Sequence, residues 1–124
     1  MKLAITILSD PTHGGDEALG RLFNALSLAA EAKELGDEVQ IVFSGAGTRW
    51  PGELTKLGHP ARALFQSVRE LVKGASCGCA EVFGATKAVE ACGVPLLKDH
   101  ELAGTSGVAS LRAAIADGWI PLSF

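Results

Sequence analysis

Strand-like and helix-like segments alternate along the whole chain, and this alternation restricts the possible folds more than any other feature. Residues 2–8 form a nearly continuous apolar run, which is typical of a buried parallel strand. A long helix is predicted over 17–36, because apolar residues recur there at helical spacing and Gly36 ends the pattern. The strand-like segment 38–43 follows directly. Strands joined by helices favour a parallel sheet with helices on both faces.

The rest of the chain continues this order with three more helices and three more strands. The predicted helices span 60–73, 80–92 and 106–117, and the predicted strands lie near 75, at 95–98 and at 119–124. Gly74 is expected to close the second helix, and Thr105 or Ser106 to cap the fourth. The glycine-rich residues 44–52 are expected to be irregular. Pro121 has no amide donor, so the last strand should lie at a sheet edge.

Length, composition and charge restrict the class of protein. The 124 residues predict a single domain, 1–124, built as a three-layer α/β/α sandwich with a five-stranded, mostly parallel sheet. A hydrophobic share of 48% excludes a disordered chain. A net charge of −3 without a basic cluster argues against nucleic acid as a partner. Apolar runs reach only about six residues, whereas a membrane span needs about 20. The first segment lacks a signal-peptide cleavage site, so we expect a cytoplasmic protein.

Ligands of such sheets bind beyond the carboxyl ends of the strands. This edge of the sheet, called the carboxyl edge below, is predicted to comprise loops 9–16, 44–59, 75–80 and 99–107. All three histidines and two of the three cysteines lie in these loops. The candidate residues gathered there are Cys77, Cys79, His13, His59, His100 and Arg49. We expect His13, Arg49 and His59 to contact substrate, and His100 to be a solvated loop residue.

The sharpest motif is Ser76-Cys77-Gly78-Cys79, at the point where a strand ends and a helix begins. A thiol in this position faces the positive end of a helix dipole, which favours the nucleophilic thiolate. Gly78 permits close backbone approach, so its amide is a candidate for binding an anionic substrate. Other interpretations stay open: both cysteines are small buried hydrophobes, they form a strained disulfide, or they bind a metal with a histidine. Cys92 continues an apolar helix face and is expected to pack in the core.

Two loop motifs carry weaker signals. His13-Gly14-Gly15-Asp16 has neither the lysine of a P-loop nor the three glycines of a dinucleotide site, so it predicts a tight turn. Trp50 either covers a ligand, contacts a partner subunit or folds back on the core. The Cys77-Gly78-Cys79 spacing is not the two-residue gap of common zinc knuckles and the chain has no second cysteine pair, so we predict no metal, and no motif predicts a cofactor.

The chain resembles the DsrE/DsrF-like family of small sulfur-relay and sulfur-oxidation proteins. The residues that carry the resemblance are Lys2–Leu8, Glu17–Gly36, Val39–Phe43, Cys77-Gly78-Cys79-Ala80 with Phe83-Gly84, and the final helix and strand from Ser110 onward. The resemblance implies a five-stranded α/β/α fold and homo-oligomers, commonly trimers or hexamers. In some members a cysteine at this strand end carries sulfur as a persulfide and passes it to a partner protein.

Transferred to this chain, the sulfur-carrying role falls on Cys79 or Cys77, and the Gly84 match favours Cys79. The pair of cysteines around Gly78 departs from the family's single cysteine. The first hypothesis is thus a sulfur carrier or sulfurtransferase-like protein, with protein or small-molecule sulfur donors and acceptors. The alternative is a non-catalytic module of the same fold that binds a small ligand or another protein, in which the cysteines are incidental.

Overall fold

A computed structural model describes all 124 residues and contains one five-stranded sheet. The strands, numbered in chain order, are β1 (Lys2–Ile7), β2 (Glu38–Phe43), β3 (Val72–Ser76), β4 (Leu96–Leu97) and β5 (Ile120–Ser123). Their order across the sheet is β4-β3-β2-β1-β5, and every neighbouring pair is parallel. The predicted α/β architecture is confirmed. The last strand lies at an edge, where Pro121 pairs only with Ala4.

Six α-helices accompany the sheet. They are α1 (Gly15–Glu34), α2 (Trp50–Leu54), α3 (Arg62–Val68), α4 (Cys77–Val82), α5 (Thr86–Ala91) and α6 (Leu111–Ala116), with short 3₁₀ turns at Gly45–Arg49 and Arg69–Leu71. None of these helices is long and apolar enough to cross a lipid bilayer.

The main core lies on one face of the sheet. Ile5 pairs with Ile41 and Ile7 with Phe43, so these four fully buried side chains point to the same face. Helices α1 to α5 cover them with a cluster that includes Leu22, Leu26, Trp50, Phe65, Ala80 and Val89. The opposite face carries Ala4, Thr6, Gln40 and Val42 and is approached by the start of α6, at Ser110 and Leu111. The sheet therefore has a layer of five helices on one face and only α6 on the other.

The prediction that residues 44–52 are irregular is wrong. They form the first 3₁₀ turn and the start of α2, because Trp50 is buried and its indole N–H donates to the Ser9 carbonyl at 2.8 Å. Gly47 allows this turn to press against β1, since a Cβ at Gly47 would lie 2.1 Å from the Ile7 carbonyl oxygen. Trp50 thus folds back on the core instead of covering a ligand.

Gly74 was expected to close a helix but lies inside β3, opposite Val42. The reason is a close approach to the neighbouring chain segment, because a Cβ there would lie 2.5 Å from the Pro95 carbonyl oxygen. The helix before it is correspondingly shorter than predicted: α3 starts at Arg62 rather than Pro60 and ends at Val68.

Two further helix boundaries differ from the prediction. The single helix expected over 80–92 is divided into α4 and α5 by Gly84, which has a left-handed φ of +67°. The last helix begins at Leu111, where the Ser110 hydroxyl accepts a hydrogen bond from the Ala113 amide at 3.1 Å. Thr105 and Ser106 do not cap it but lie in the preceding loop.

Candidate functional site

The two cysteines after β3 differ in exposure. A strand ends and a helix begins at this motif, as predicted, but β3 ends at Ser76 and α4 already begins at Cys77 rather than at the predicted position 80. The Cys77 side chain is buried, with 4% of the residue exposed, whereas Cys79 is partly exposed. Both thiols are free, and so is that of Cys92. Cys79 is therefore the more exposed of the two cysteine residues of this turn.

Cys77 is buried but does not belong to the large hydrophobic cluster of the main core. The large hydrophobic cluster contains Ala75 before it and Ala80 after it but does not contain Cys77. The segment 99–109, called the strap below, packs on this turn instead. A Cβ at Gly78 would lie 2.9 Å from a methyl carbon of Val108 and 3.0 Å from Cβ of Thr105.

Hydrogen bonds attach the strap to β3 and α4. The Gly78 amide donates to the Gly107 carbonyl at 2.7 Å, and the Ala109 amide donates to the Ser76 hydroxyl at 3.0 Å. The Glu81 carboxylate accepts from the amide and the hydroxyl of Ser106, at 3.0 and 2.8 Å. These two bonds from Ser106 lower the pKa of the Glu81 carboxyl. The Gly78 amide is thus engaged within the protein, and its role in binding substrate stays a prediction.

Arg49 and His13 meet at one carboxylate. Asp10 accepts a hydrogen bond from Arg49 Nη1 at 3.1 Å, lies 3.0 Å from His13 Nδ1, and also accepts from the Thr12 amide at 2.9 Å. Arg49 Nε donates to the Phe83 carbonyl at 3.1 Å, and the guanidinium lies over the Phe83 ring. Because Phe83 directly follows α4, Arg49 connects the β1–α1 loop to the helix that carries Cys79.

The Asp10 carboxylate is strongly favoured in its ionised form. Desolvation raises the pKa of Asp10, but hydrogen bonds from the Thr12 amide, His13 and Arg49, together with the charge of Arg49, outweigh this effect. The pKa falls from 3.8 to about 2. The cluster is consequently held by charge at neutral pH, with one guanidinium nitrogen, Nη2, left without a protein hydrogen bond.

The other two histidines serve local structure. His59 Nδ1 accepts a hydrogen bond from the Ala61 amide at 3.1 Å, and its ring packs edge-on against Trp50. His100 is exposed and belongs to the strap, where its backbone exchanges two hydrogen bonds with Val108. Of the predicted substrate-contacting side chains, the structure brings His13 and Arg49 together, whereas His59 lies apart from them and packs against Trp50.

No group of three His, Cys, Asp or Glu side chains is arranged to hold a metal ion, so the alternative with Cys77, Cys79 and a histidine as metal ligands has no ligand set.

An open cleft of about 410 Å³ lies at the ends of β1 and β5, and sequence reasoning missed it. It is lined by the apolar side chains of Leu8, Ala18 and Phe124 and by charged side chains from the β1–α1 loop, Asp10, and from the first turns of α1, Glu17 and Arg21. Arg21 and Glu17 form an ion pair of 2.7 Å at its rim. Asp10 belongs both to this cleft and to the Arg49 cluster. Loop 9–16 was predicted to lie at the ligand-binding edge, but the contribution of Ser123 and Phe124 has no local sequence signal, because it depends on the pairing of β5 with β1.

Comparison with known proteins supports the fold. No protein-family model matches the chain. An uncharacterised protein of Methanocaldococcus jannaschii is 33% identical over 70 residues, which are 56% of this chain and 57% of that protein. This chain therefore spans little more than half the length of the curated relative it matches.

A solved structure, that of a conserved protein of unknown function from Bacteroides thetaiotaomicron, has a TM-score of 0.60. The match covers 98% of this chain and 94% of that chain at 17% sequence identity. At this identity the likeness shows a shared three-layer α/β/α fold and nothing about activity.

Proposed function

We propose that the protein is a sulfur carrier that holds a persulfide on Cys79 and passes its outer sulfur to an acceptor. The observation that supports this function best is the difference between the two cysteines of the β3–α4 turn. Cys79 is a free, partly exposed thiol at the carboxyl edge of a parallel sheet, where ligands of such folds bind. The resemblance of this turn to DsrE/DsrF-like proteins supports the same residue.

The transfer proceeds without any change in oxidation state. The Cys79 thiolate attacks the outer sulfur of a donor persulfide, R–S–SH, the donor's S–S bond breaks, and R–S⁻ leaves. Cys79 then carries –S–SH. In the second step an acceptor thiolate attacks that outer sulfur, and Cys79 leaves as its thiolate. Each step exchanges one S–S bond for another, so neither an oxidant nor a metal is required.

The setting of Cys79 suits a reaction with another macromolecule. The neighbouring side chains Glu81 and Val82 are exposed on the same short helix, so a donor or acceptor protein can reach the thiol from solvent. Three free thiols without a disulfide suit a reducing compartment, and we propose the cytoplasm. By the same resemblance we propose a homo-oligomer, a trimer or hexamer.

The proposal is tested by incubating the protein with a small-molecule persulfide donor, removing the donor and measuring the intact mass. Wild type and Cys92→Ser, a matched control at the residue that follows α5, are expected to gain one sulfur atom. Cys79→Ser is expected to gain none. Equal loading of Cys79→Ser and wild type would exclude Cys79 as the carrier, and no loading of any variant would exclude the function.

A second candidate function, a small-ligand binding module, is favoured by the cleft beside Asp10. At about 410 Å³ the cleft falls within the size range of small-molecule sites, and it combines apolar with charged side chains. Thiol titration with an aromatic disulfide reagent at neutral pH separates the two candidates. Rapid reaction of Cys79 supports sulfur transfer, whereas three unreactive thiols would favour the binding module.

A further inference from the structure

Most residues of the strap are exposed to solvent. Its residues 101–104 are all exposed, and its backbone turns at Gly104 and Gly107, whose φ values of +80° and +106° are left-handed. It contains no residue of the main hydrophobic cluster. A segment with so little buried apolar surface opens at a far lower free energy than the whole domain. Its hydrogen bonds to β3 and α4 therefore decide how often it opens.

The most exposed of these attachments joins Glu81 to Ser106. Glu81 and Ser106 are both exposed, and they are joined through both carboxylate oxygens. The remaining attachments, from Gly78 to Gly107 and from Ala109 to Ser76, lie nearer the buried turn. The Glu81–Ser106 pair, called the clasp below, thus closes the outer side of the strap over the cysteine turn.

We propose that the clasp determines which of the two neighbouring thiols can react. With the clasp closed, Cys79 is accessible and Cys77 is covered. With the clasp open, the strap separates from Gly78, and Cys77 becomes a second accessible thiol. Two observations support this: Cys77 is buried without belonging to the large hydrophobic cluster, and the strap contacts the residue on each side of it, Ser76 and Gly78.

The experiment measures the accessibility of Cys77 directly and needs no sulfur transfer. In the full chain, Cys79→Ser and Cys92→Ser leave Cys77 as the single thiol, and its alkylation by iodoacetamide is followed by mass spectrometry. Adding Ser106→Ala or Glu81→Ala is expected to raise the alkylation rate about three- to tenfold, the effect of losing one or two surface hydrogen bonds. Ser106→Thr keeps the hydroxyl and should restore the slow rate. Glu90→Ala, which removes an exposed carboxylate on α5, is the matched control and should leave the rate unchanged.

Dependence on urea separates local opening from unfolding of a weakened domain. Opening of the strap exposes little surface, so the alkylation rate should hardly change with urea below the unfolding transition. Unchanged rates in both Ser106→Ala and Glu81→Ala would overturn the proposal. So would a rate increase that follows urea as steeply as global unfolding does. Because Cys79 is absent from all these variants, the result stands whether or not Cys79 carries sulfur.

Discussion

Replacement of Asp10 by Asn tests whether charge holds the Arg49 cluster together. Asn keeps the size and an acceptor oxygen for the Thr12 amide, so Asp10→Asn removes mainly the negative charge. The pKa of Asp10 falls from 3.8 to about 2 on folding, and each unit corresponds to about 1.36 kcal/mol, which gives an upper value of about 2.4 kcal/mol. Asp10 and Arg49 side chains are 21% and 28% exposed, so solvent screening reduces the expected loss at pH 7 to about 1–2 kcal/mol.

The sign of the pH dependence is fixed by the direction of the shift. A carboxyl whose pKa is lowered by folding stabilises the folded state above its unfolded pKa and loses this effect as the pH falls through its folded pKa. The difference in unfolding free energy between wild type and Asp10→Asn should therefore be constant above about pH 5. It should fall to about half by pH 3 and be small near pH 2.

Urea denaturation followed by tryptophan fluorescence at pH 7, 4, 3 and 2 measures these differences, since Trp50 lies next to the cluster. Asp99→Asn, which neutralises an exposed loop carboxylate, is the control and should cost much less. Added salt should reduce the difference between wild type and Asp10→Asn, because the pair with Arg49 is partly exposed. A loss of equal size at pH 7 and pH 2 would refute a charge-based role and indicate a packing effect.

Two further substitutions test how the first 3₁₀ turn and the start of α2 pack against β1 and Ser9, and a third, in α1, is their control; each is measured by urea denaturation at pH 7. Trp50→Phe removes the indole donor to the Ser9 carbonyl and some buried volume, and should cost about 2 kcal/mol; a loss below about 0.5 kcal/mol would show that this bond contributes little. Gly47→Ala places a methyl group 2.1 Å from the Ile7 carbonyl oxygen and should cost about 3 kcal/mol. Gly20→Ala, the matched change in open space within α1, should instead stabilise by about 0.5–1 kcal/mol, so equal effects of the two glycine substitutions would contradict the structure.

The fold follows from local patterns in the sequence. The apolar runs of β1 and β2 and the helical spacing in α1 identify these elements within one or two residues, because burial on a continuous core imposes a period that the chain itself displays. Pro121 likewise identifies its strand as an edge strand. These features depend on residues that are close together in sequence.

The elements that were predicted wrongly depend on distant segments. From the sequence alone, Gly74 resembles the end of a helix. In the structure only glycine fits there, because a side chain would clash with the carbonyl of Pro95 on the neighbouring segment. Residues 44–52 have an irregular sequence pattern. Their helical structure depends on the hydrogen bond from Trp50 to the Ser9 carbonyl, 41 positions away. Glycine has several structural roles, and tertiary contact decides among them.

The candidate site, too, has features that the local sequence predicts and features that depend on distant segments. The position of two cysteines at the end of β3 can be predicted from the order of strands and helices. Their difference in exposure cannot, because burial depends on contacts with distant segments such as the strap, which packs on Gly78 between the two cysteines. The convergence of Arg49 and His13 on Asp10 is equally non-local, since Arg49 and Asp10 are 39 positions apart. Polar side chains of this kind have no periodic pattern from which their partners could be inferred.

Locating the transferred sulfur within the chain tests the central claim most directly. After loading with a persulfide donor and alkylation, trypsin releases one peptide, residues 74–87, that contains both Cys77 and Cys79. Fragmentation of this peptide by tandem mass spectrometry is expected to place one additional sulfur on Cys79 and an unmodified or alkylated thiol at Cys77. An additional sulfur found first on Cys77 or only on Cys92, or absent from the whole chain, would contradict the account.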